Sequence, residues 1–161
     1  MSGLVSPAPY VAVVGGYEVD DTVAAEAEET GRLLAQRGAI VVTGGRRGVS
    51  EAASRGAVLA GGTTVGILPG RTREEANPYV TIAIPTGLGE TRNALVVMGA
   101  DAVIAFPGLY GTLSEVAFAL LNGTPVVGLG SWELARAGVA DVGIVAVGSP
   151  VEAVDLALAM I

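Results

Sequence analysis

A chain of 161 residues with a formal net charge of −7 and a pI near 4.5 fits one domain with its own core, and its acidity argues against a nucleic-acid partner, whose phosphates are held by basic groups. There is no His and no Cys, and all nine basic residues are Arg. These absences exclude an in-chain Ser-His-Asp or Cys-His nucleophile, a conventional zinc site, a pyridoxal Schiff base and a Walker A lysine. Half of the residues are apolar, 51%, yet no run approaches the roughly 18–20 needed to span a bilayer. The start, "MSGLVSPAPY", has neither the basic end nor the apolar core of a signal peptide. It predicts a loose leader over residues 1–9 and a cytoplasmic protein, with one domain over 10–161.

In chain order, "YVAVVGG" (Tyr10–Gly16) is a short apolar run closed by a glycine pair, which predicts a buried strand. Asp20 and Asp21 offer N-caps to a helix reaching Arg37, with Val23, Ala27, Thr30 and Leu34 on one face and Gly38 as the stop. "AIVVTGG" (Ala39–Gly45) predicts a second strand, followed by a helix from about Val49 to Ala60. "TTVGILPG" predicts a third strand, the charged segment Arg71–Tyr79 a loop, "VTIAIPTG" a fourth strand and Glu90–Met98 a helix. "DAVIAFPG" is the fifth strand, with a helix from about Leu113 to Leu121. "TPVVGLG" is the sixth, a short polar segment surrounds Trp132–Arg136, "VGIVAVG" is the seventh, and a helix runs from Val151 to the end. Strands apolar throughout and alternating with helices predict a Rossmann-like doubly wound parallel sheet of about seven strands, helices on both faces.

In such folds ligands bind beyond the carboxyl ends of the strands, where strand order reverses. Three glycine clusters are expected there: Gly15-Gly16, "TGGRRG" with Gly44, Gly45 and Gly48, and "PGLYGT" with Pro107, Gly108, Gly111 and Thr112. Glycine lets backbone approach an anion, and a helix N-terminus offers free N–H groups. Two such loops suffice to cradle one phosphate, although a glycine pair is also what a tight βα turn requires. The first strand lacks the G-x-G-x-x-G fingerprint, which disfavours a standard NAD site. Arg46 and Arg47 are placed to bracket a phosphate or to face solvent. Thr112 and Glu115 have the spacing of a capping box, and a carboxylate on the first turn also lies near anything bound at that helix end.

"TGGRRGVSEAASRGA", "GGTTVGILP" and "ETRNALVVMGADAVIAFPGLYGTLSE" together resemble the LOG (Lonely Guy) superfamily, often labelled lysine decarboxylases. They are most similar to its small branch that includes molybdenum-cofactor carrier proteins, from about Tyr10 to Leu129. The resemblance implies a Rossmann-like fold and a homodimer or homotetramer. The superfamily's enzymes hydrolyse the N-glycosidic bond of nucleoside 5′-monophosphates. Their P-G-G-x-G-T-x-x-E motif falls on Pro107 to Glu115, and their arginine, eight residues before an "ADA" that begins here at Ala100, falls on Arg92. The resemblance therefore implies Arg92 and Glu115 as the catalytic pair. Leu109 stands where the motif has its second glycine, Thr43 where the first motif often has another, and Asn93 where the enzymes usually have Lys. Without lysine, the pyridoxal chemistry suggested by the decarboxylase label is excluded.

Two readings follow. In the first the chain binds a phosphorylated nucleotide-like ligand and cleaves it through an oxocarbenium-like transition state, with no cofactor and no metal. Glu115, expected to stay ionised near the helix dipole, would hold ribose hydroxyls, and Arg92 would hold the phosphate or orient the carboxylate. In the second the same loops carry a phosphorylated ligand such as the molybdenum cofactor unchanged. Leu109 discriminates between them, since a side chain filling the phosphate pocket would weaken the first.

Overall fold

The structure is a computed structural model that describes residues 7–161, so residues 1–6 of the expected leader lie outside the described residues. Among the described residues nine strands are formed: β1 (Tyr10–Val14), β2 (Ile40–Thr43), β3 (Thr64–Leu68), β4 (Ile82–Pro85), β5 (Ala102–Ala105), β6 (Val126–Leu129), β7 (Leu134–Arg136), β8 (Val139–Asp141) and β9 (Ile144–Val147). Seven of them build one sheet in the order β4-β3-β2-β1-β5-β6-β9, with every neighbouring pair parallel. The order reverses between β1 and β5, where Val11 stands beside Ala102 and Val14 beside Ala105. These are the seven apolar runs of the sequence. The inner strands β1, β2, β5 and β6 are buried on both faces because helices cover the sheet on two sides, while the edge strands β4 and β9 are partly exposed.

Helices α1 (Asp21–Gln36), α2 (Val49–Leu59) and α5 (Pro150–Ala159) lie on one side, α3 (Asn93–Met98) and α4 (Tyr110–Asn122) on the other. Alternate residues of β1 divide between the two cores: Val11 and Val13 pack under α1, α2 and α5, while Ala12 and Val14 pack under α3 and α4. The Asp20 carboxylate caps α1 by accepting from the Val23 N–H at 2.8 Å. Helices α1 and α2 meet backbone to backbone. A Cβ on Gly31 would strike the Ala53 carbonyl, and one on Gly56 the Glu28 carbonyl.

The elements differ from expectation at three places. The helix expected over Glu90–Met98 is a 3-10 turn over Gly89–Arg92 that leads into α3. The polar segment around Trp132–Arg136 runs into a separate antiparallel hairpin, β7–β8, turning through Ala137 at φ 50° and Gly138 at φ 81°. Helix α4 starts at Tyr110 rather than near Leu113, which changes the site. No helix of the described residues is long and apolar enough to cross a membrane.

Candidate functional site

The three glycine clusters converge beyond the carboxyl ends of β1, β2 and β5, at the reversal of strand order. The Gly16 N–H donates to the Pro107 carbonyl at 2.7 Å, and the Val49 N–H donates to the Gly16 carbonyl at 3.1 Å. Gly48 sits at φ 68°, and a Cβ there would run into the carbonyls of Gly16 and Tyr17. Angle and neighbours thus both demand glycine. A Cβ on Gly15 would meet the Val49 side chain at 2.6 Å, and one on Gly108 would collide with Thr112. The glycines let three loops and two helix starts close around one cleft of about 960 Å³.

Gly15, Gly44, Arg92, Pro107, Gly108, Gly111, Thr112 and Glu115 all line this cleft, as do Arg46 and Arg47. Gly45 and Gly48 do not. Gly45, at φ 77°, turns the chain against Leu68 and Gly66 behind the cleft, and Gly48 borders an adjoining cavity. The charged loop Arg71–Tyr79 anchors the second cluster from outside. The buried Asn77 takes Gly45 through its N–H, which donates to that carbonyl at 2.8 Å. Its side-chain amide donates to the Arg46 carbonyl at 2.8 Å. Nothing in the sequence pattern around Asn77 marks it, because its partners are backbone atoms far along the chain.

Arg92 is buried and braces three elements. Its Nε donates to the Ile67 carbonyl at 2.8 Å, its Nη2 to the Gly44 carbonyl at 3.4 Å, and its Nη1 to Asn93 Oδ1. A Cβ on Gly44 would lie 3.0 Å from Nη2, so glycine at 44 admits the guanidinium. Asn93 in turn donates through Nδ2 to Ser114 Oγ at 3.1 Å, which ties α3 to α4. Burial pulls the Arg92 guanidinium below its usual value, while Glu115 and Glu90 act the other way. It stays cationic in any case.

The expected capping box at Thr112 and Glu115 does not form. Leu109 occupies the N-cap of α4 and no side chain caps it, so Thr112 lies inside the helix and Glu115 in its second turn. The expectation of an ionised Glu115 is overturned for the same reason. The helix dipole fades beyond the first turn, and burial at 7% exposure dominates instead. Desolvation pushes the carboxyl up to about 8, Arg92 opposes this and Glu90 adds to it. Among the described residues Arg92 and Glu115 form no direct ion pair. Around neutral pH the Glu115 carboxyl is therefore mostly protonated and able to donate a hydrogen bond. Leu109 does not block the site: it lies at the rim, 80% exposed, with φ −94°, so glycine is not required there.

Tyr17 carries no motif in the sequence, yet it organises the cleft mouth. The Arg46 and Arg47 guanidinium carbons lie 5.1 and 5.0 Å from its ring centroid, and Arg46 Nη2 donates to its hydroxyl at 3.3 Å. Among the described residues neither arginine is paired with a carboxylate. Both guanidinium groups are therefore free to take a hydrogen-bonding anion.

Glu115 has a consequence for stability. Its carboxyl titrates near 8 when folded and near the ordinary value of 4.5 when unfolded, so between these limits the folded state holds the extra proton. Stability then falls as pH rises from about 4.5 to about 8 and levels off above. Glu115→Gln is expected to remove this slope. Its stability should match wild type near pH 4.5 and exceed it at pH 9, by on the order of 4–5 kcal/mol. Parallel pH profiles for the two proteins would contradict the assignment.

The sheet order and the cleft at its switch point define a Rossmann-like protein with a glycine-lined cleft. The model of the SLOG cluster4 family matches residues 8–154, and the chain belongs to that family. It is similar to the molybdenum cofactor binding protein of the phototrophic bacterium Rippkaea orientalis, at 36% identity and TM-score 0.84, covering 96% of this chain and 98% of the other. It is similar as well to the molybdenum cofactor carrier protein of Chlamydomonas reinhardtii, at 31% identity and TM-score 0.81, again over 96% and 98%. An uncharacterised protein of Archaeoglobus fulgidus is 40% identical over 119 residues, 74% of this chain and 78% of that one.

Proposed function

We propose that the chain binds a phosphorylated pterin of the molybdenum-cofactor type in the glycine-lined cleft and carries it unchanged. The observation that carries this reading is the end-to-end likeness to molybdenum cofactor proteins, 96% of this chain against 98% of theirs at 36% identity. The cleft suits such a cargo. Gly15, Gly44, Gly108, Gly111 and Thr112, with Arg46, Arg47 and Arg92, offer amide donors and cations to the phosphate. A chain without Cys or His leaves the metal to the dithiolene sulfurs of the pterin itself. Neutral Glu115 can donate to the ligand without setting a second negative charge beside it. The homodimer or homotetramer implied by the superfamily, and a cytoplasmic setting, belong to the same proposal.

The test mixes the purified protein with cofactor released from a molybdoenzyme and passes it over a sizing column. Molybdenum and pterin fluorescence should co-elute with the chain in near-equal amounts, and the elution volume reads the oligomer. Free cofactor eluting apart from the protein would sink the reading.

One observation favours hydrolysis as a second reading: Arg92 and a protonatable Glu115 face the same cleft. A neutral carboxyl suits protonation of a leaving base, the role that an ionised Glu115 could not fill. Incubation with purine and pyrimidine 5′-monophosphates, followed by chromatography, should then release free base from the wild type and not from Glu115→Gln. If neither protein releases base, the carrier reading stands alone.

A further inference from the structure

Beside the main cleft lies a second cavity of about 470 Å³. The two share a wall: Tyr17, Glu18, Val19 and Arg47 line both. Beyond that wall the chemistry changes. The main cleft gathers Arg46, Arg47 and Arg92, the glycine loops and the carboxyl groups of Asp20, Glu90 and Glu115, whereas the side cavity is faced by Glu28, Glu51, Arg55 and Tyr79. Glu28 is engaged by Arg55, whose Nη1 stands 3.7 Å from its carboxylate. Glu51 is different. It lies in the first turn of α2 and is half-buried. Among the described residues its carboxylate takes part in no ion pair and accepts no hydrogen bond. An acceptor with two free oxygens, in a cavity bordered by aromatic rings and joined to an anion receptor, suits a planar heterocycle that presents two adjacent N–H donors.

From this we infer that the side cavity is the subsite for the ring of the ligand, with Glu51 accepting from the N–H and amino group of a 2-amino-4-oxopyrimidine edge while the phosphate sits in the main cleft. The inference rests on the proposed binding of a phosphorylated ligand and adds which heterocycles are accepted. Pterins and guanine share this edge. Hypoxanthine keeps the ring N–H and lacks the amino group, and adenine has an acceptor in place of the ring N–H. The carboxylate therefore ranks them by the number of donors it meets, and an unmatched acceptor facing Glu51 is repelled.

The experiment is calorimetric titration at pH 6 with pyrophosphate, GMP, IMP and AMP, for the wild type and for Glu51→Ala. Alanine suits a helix, and Glu51 packs no core, so the variant folds. The wild type is expected to bind GMP about tenfold more tightly than IMP, with AMP weakest. Glu51→Ala should bring GMP to the level of IMP and leave pyrophosphate within about twofold. Equal affinities for GMP and AMP in the wild type would overturn the subsite. So would a preference for GMP that survives in Glu51→Ala. Failure of pyrophosphate and every nucleotide to bind is a separate outcome: it overturns the phosphate-binding reading itself, and the subsite with it.

Discussion

Gly56→Ala is expected to lower the melting temperature by roughly 6–12 °C, corresponding to about 3 kcal/mol. The direction is the reverse of what helix propensity gives, since alanine in a helix interior is worth about 0.5–1 kcal/mol over glycine. Packing decides the sign. The added methyl would be driven into the Glu28 carbonyl, which is backbone of α1 and has no rotamer to escape into. Relief requires α1 and α2 to move apart, which opens the core around Ala27, Ala53 and Ala57. Gly31→Ala meets the Ala53 carbonyl in the same contact from the other side and should behave alike. Gly111→Ala is the control: its methyl would find only the Asn93 amide at 3.9 Å. Its melting temperature should stay within about 2 °C of wild type. Equal melting of Gly56→Ala and Gly111→Ala would show that the two helices are not held this closely.

Arg92→Met is expected to weaken pyrophosphate or nucleotide binding by about 100-fold, measured by titration calorimetry. The side chain does two jobs that methionine cannot do. It brings a buried cation to the cleft, and it satisfies the Ile67 and Gly44 carbonyls that hold the second glycine loop. It also lowers the titration of Glu115 by its charge. Its loss should move the carboxyl further up and extend the decline of stability to higher pH. Arg92→Lys separates the jobs, since a lysine keeps the charge and cannot bridge both carbonyls as a planar fork. Binding by Arg92→Met equal to wild type would remove Arg92 from the ligand site.

The fold was legible because the strands of a parallel sheet are written as unbroken apolar runs, the half-exposed edge strands β4 and β9 included, and all seven stand out from "YVAVV" onward. Glycine at the strand ends disclosed the cleft for a related reason: only glycine tolerates loops that touch as Gly48 and Gly16 do. What stayed hidden depended on contacts between distant segments. The ionisation of Glu115 is misread when the helix is started at about Leu113, which puts the carboxylate in the first turn; Leu109 instead serves as an N-cap without a side-chain bond. The β7–β8 hairpin was missed because its turn uses Ala137 at φ 50°, where Asn or Gly would have signalled it. Tyr17 left no trace, since one aromatic after two glycines has no period, and its two arginines stand far along the chain.

The pairing of β1 with β5 bears on how the molecule assembles. The Tyr10 N–H reaches the Asp101 carboxylate across 91 positions of sequence, and the loops that follow the two strands at their far ends line the cleft. Closing so long a loop is entropically slow, while β2, α2, β3 and β4 are joined by short connections and can pair early. The central seam of the sheet is thus expected to zip late in folding. A ligand that grips Gly15 and Gly108 together clamps that seam from outside, so its binding would retard unfolding there first.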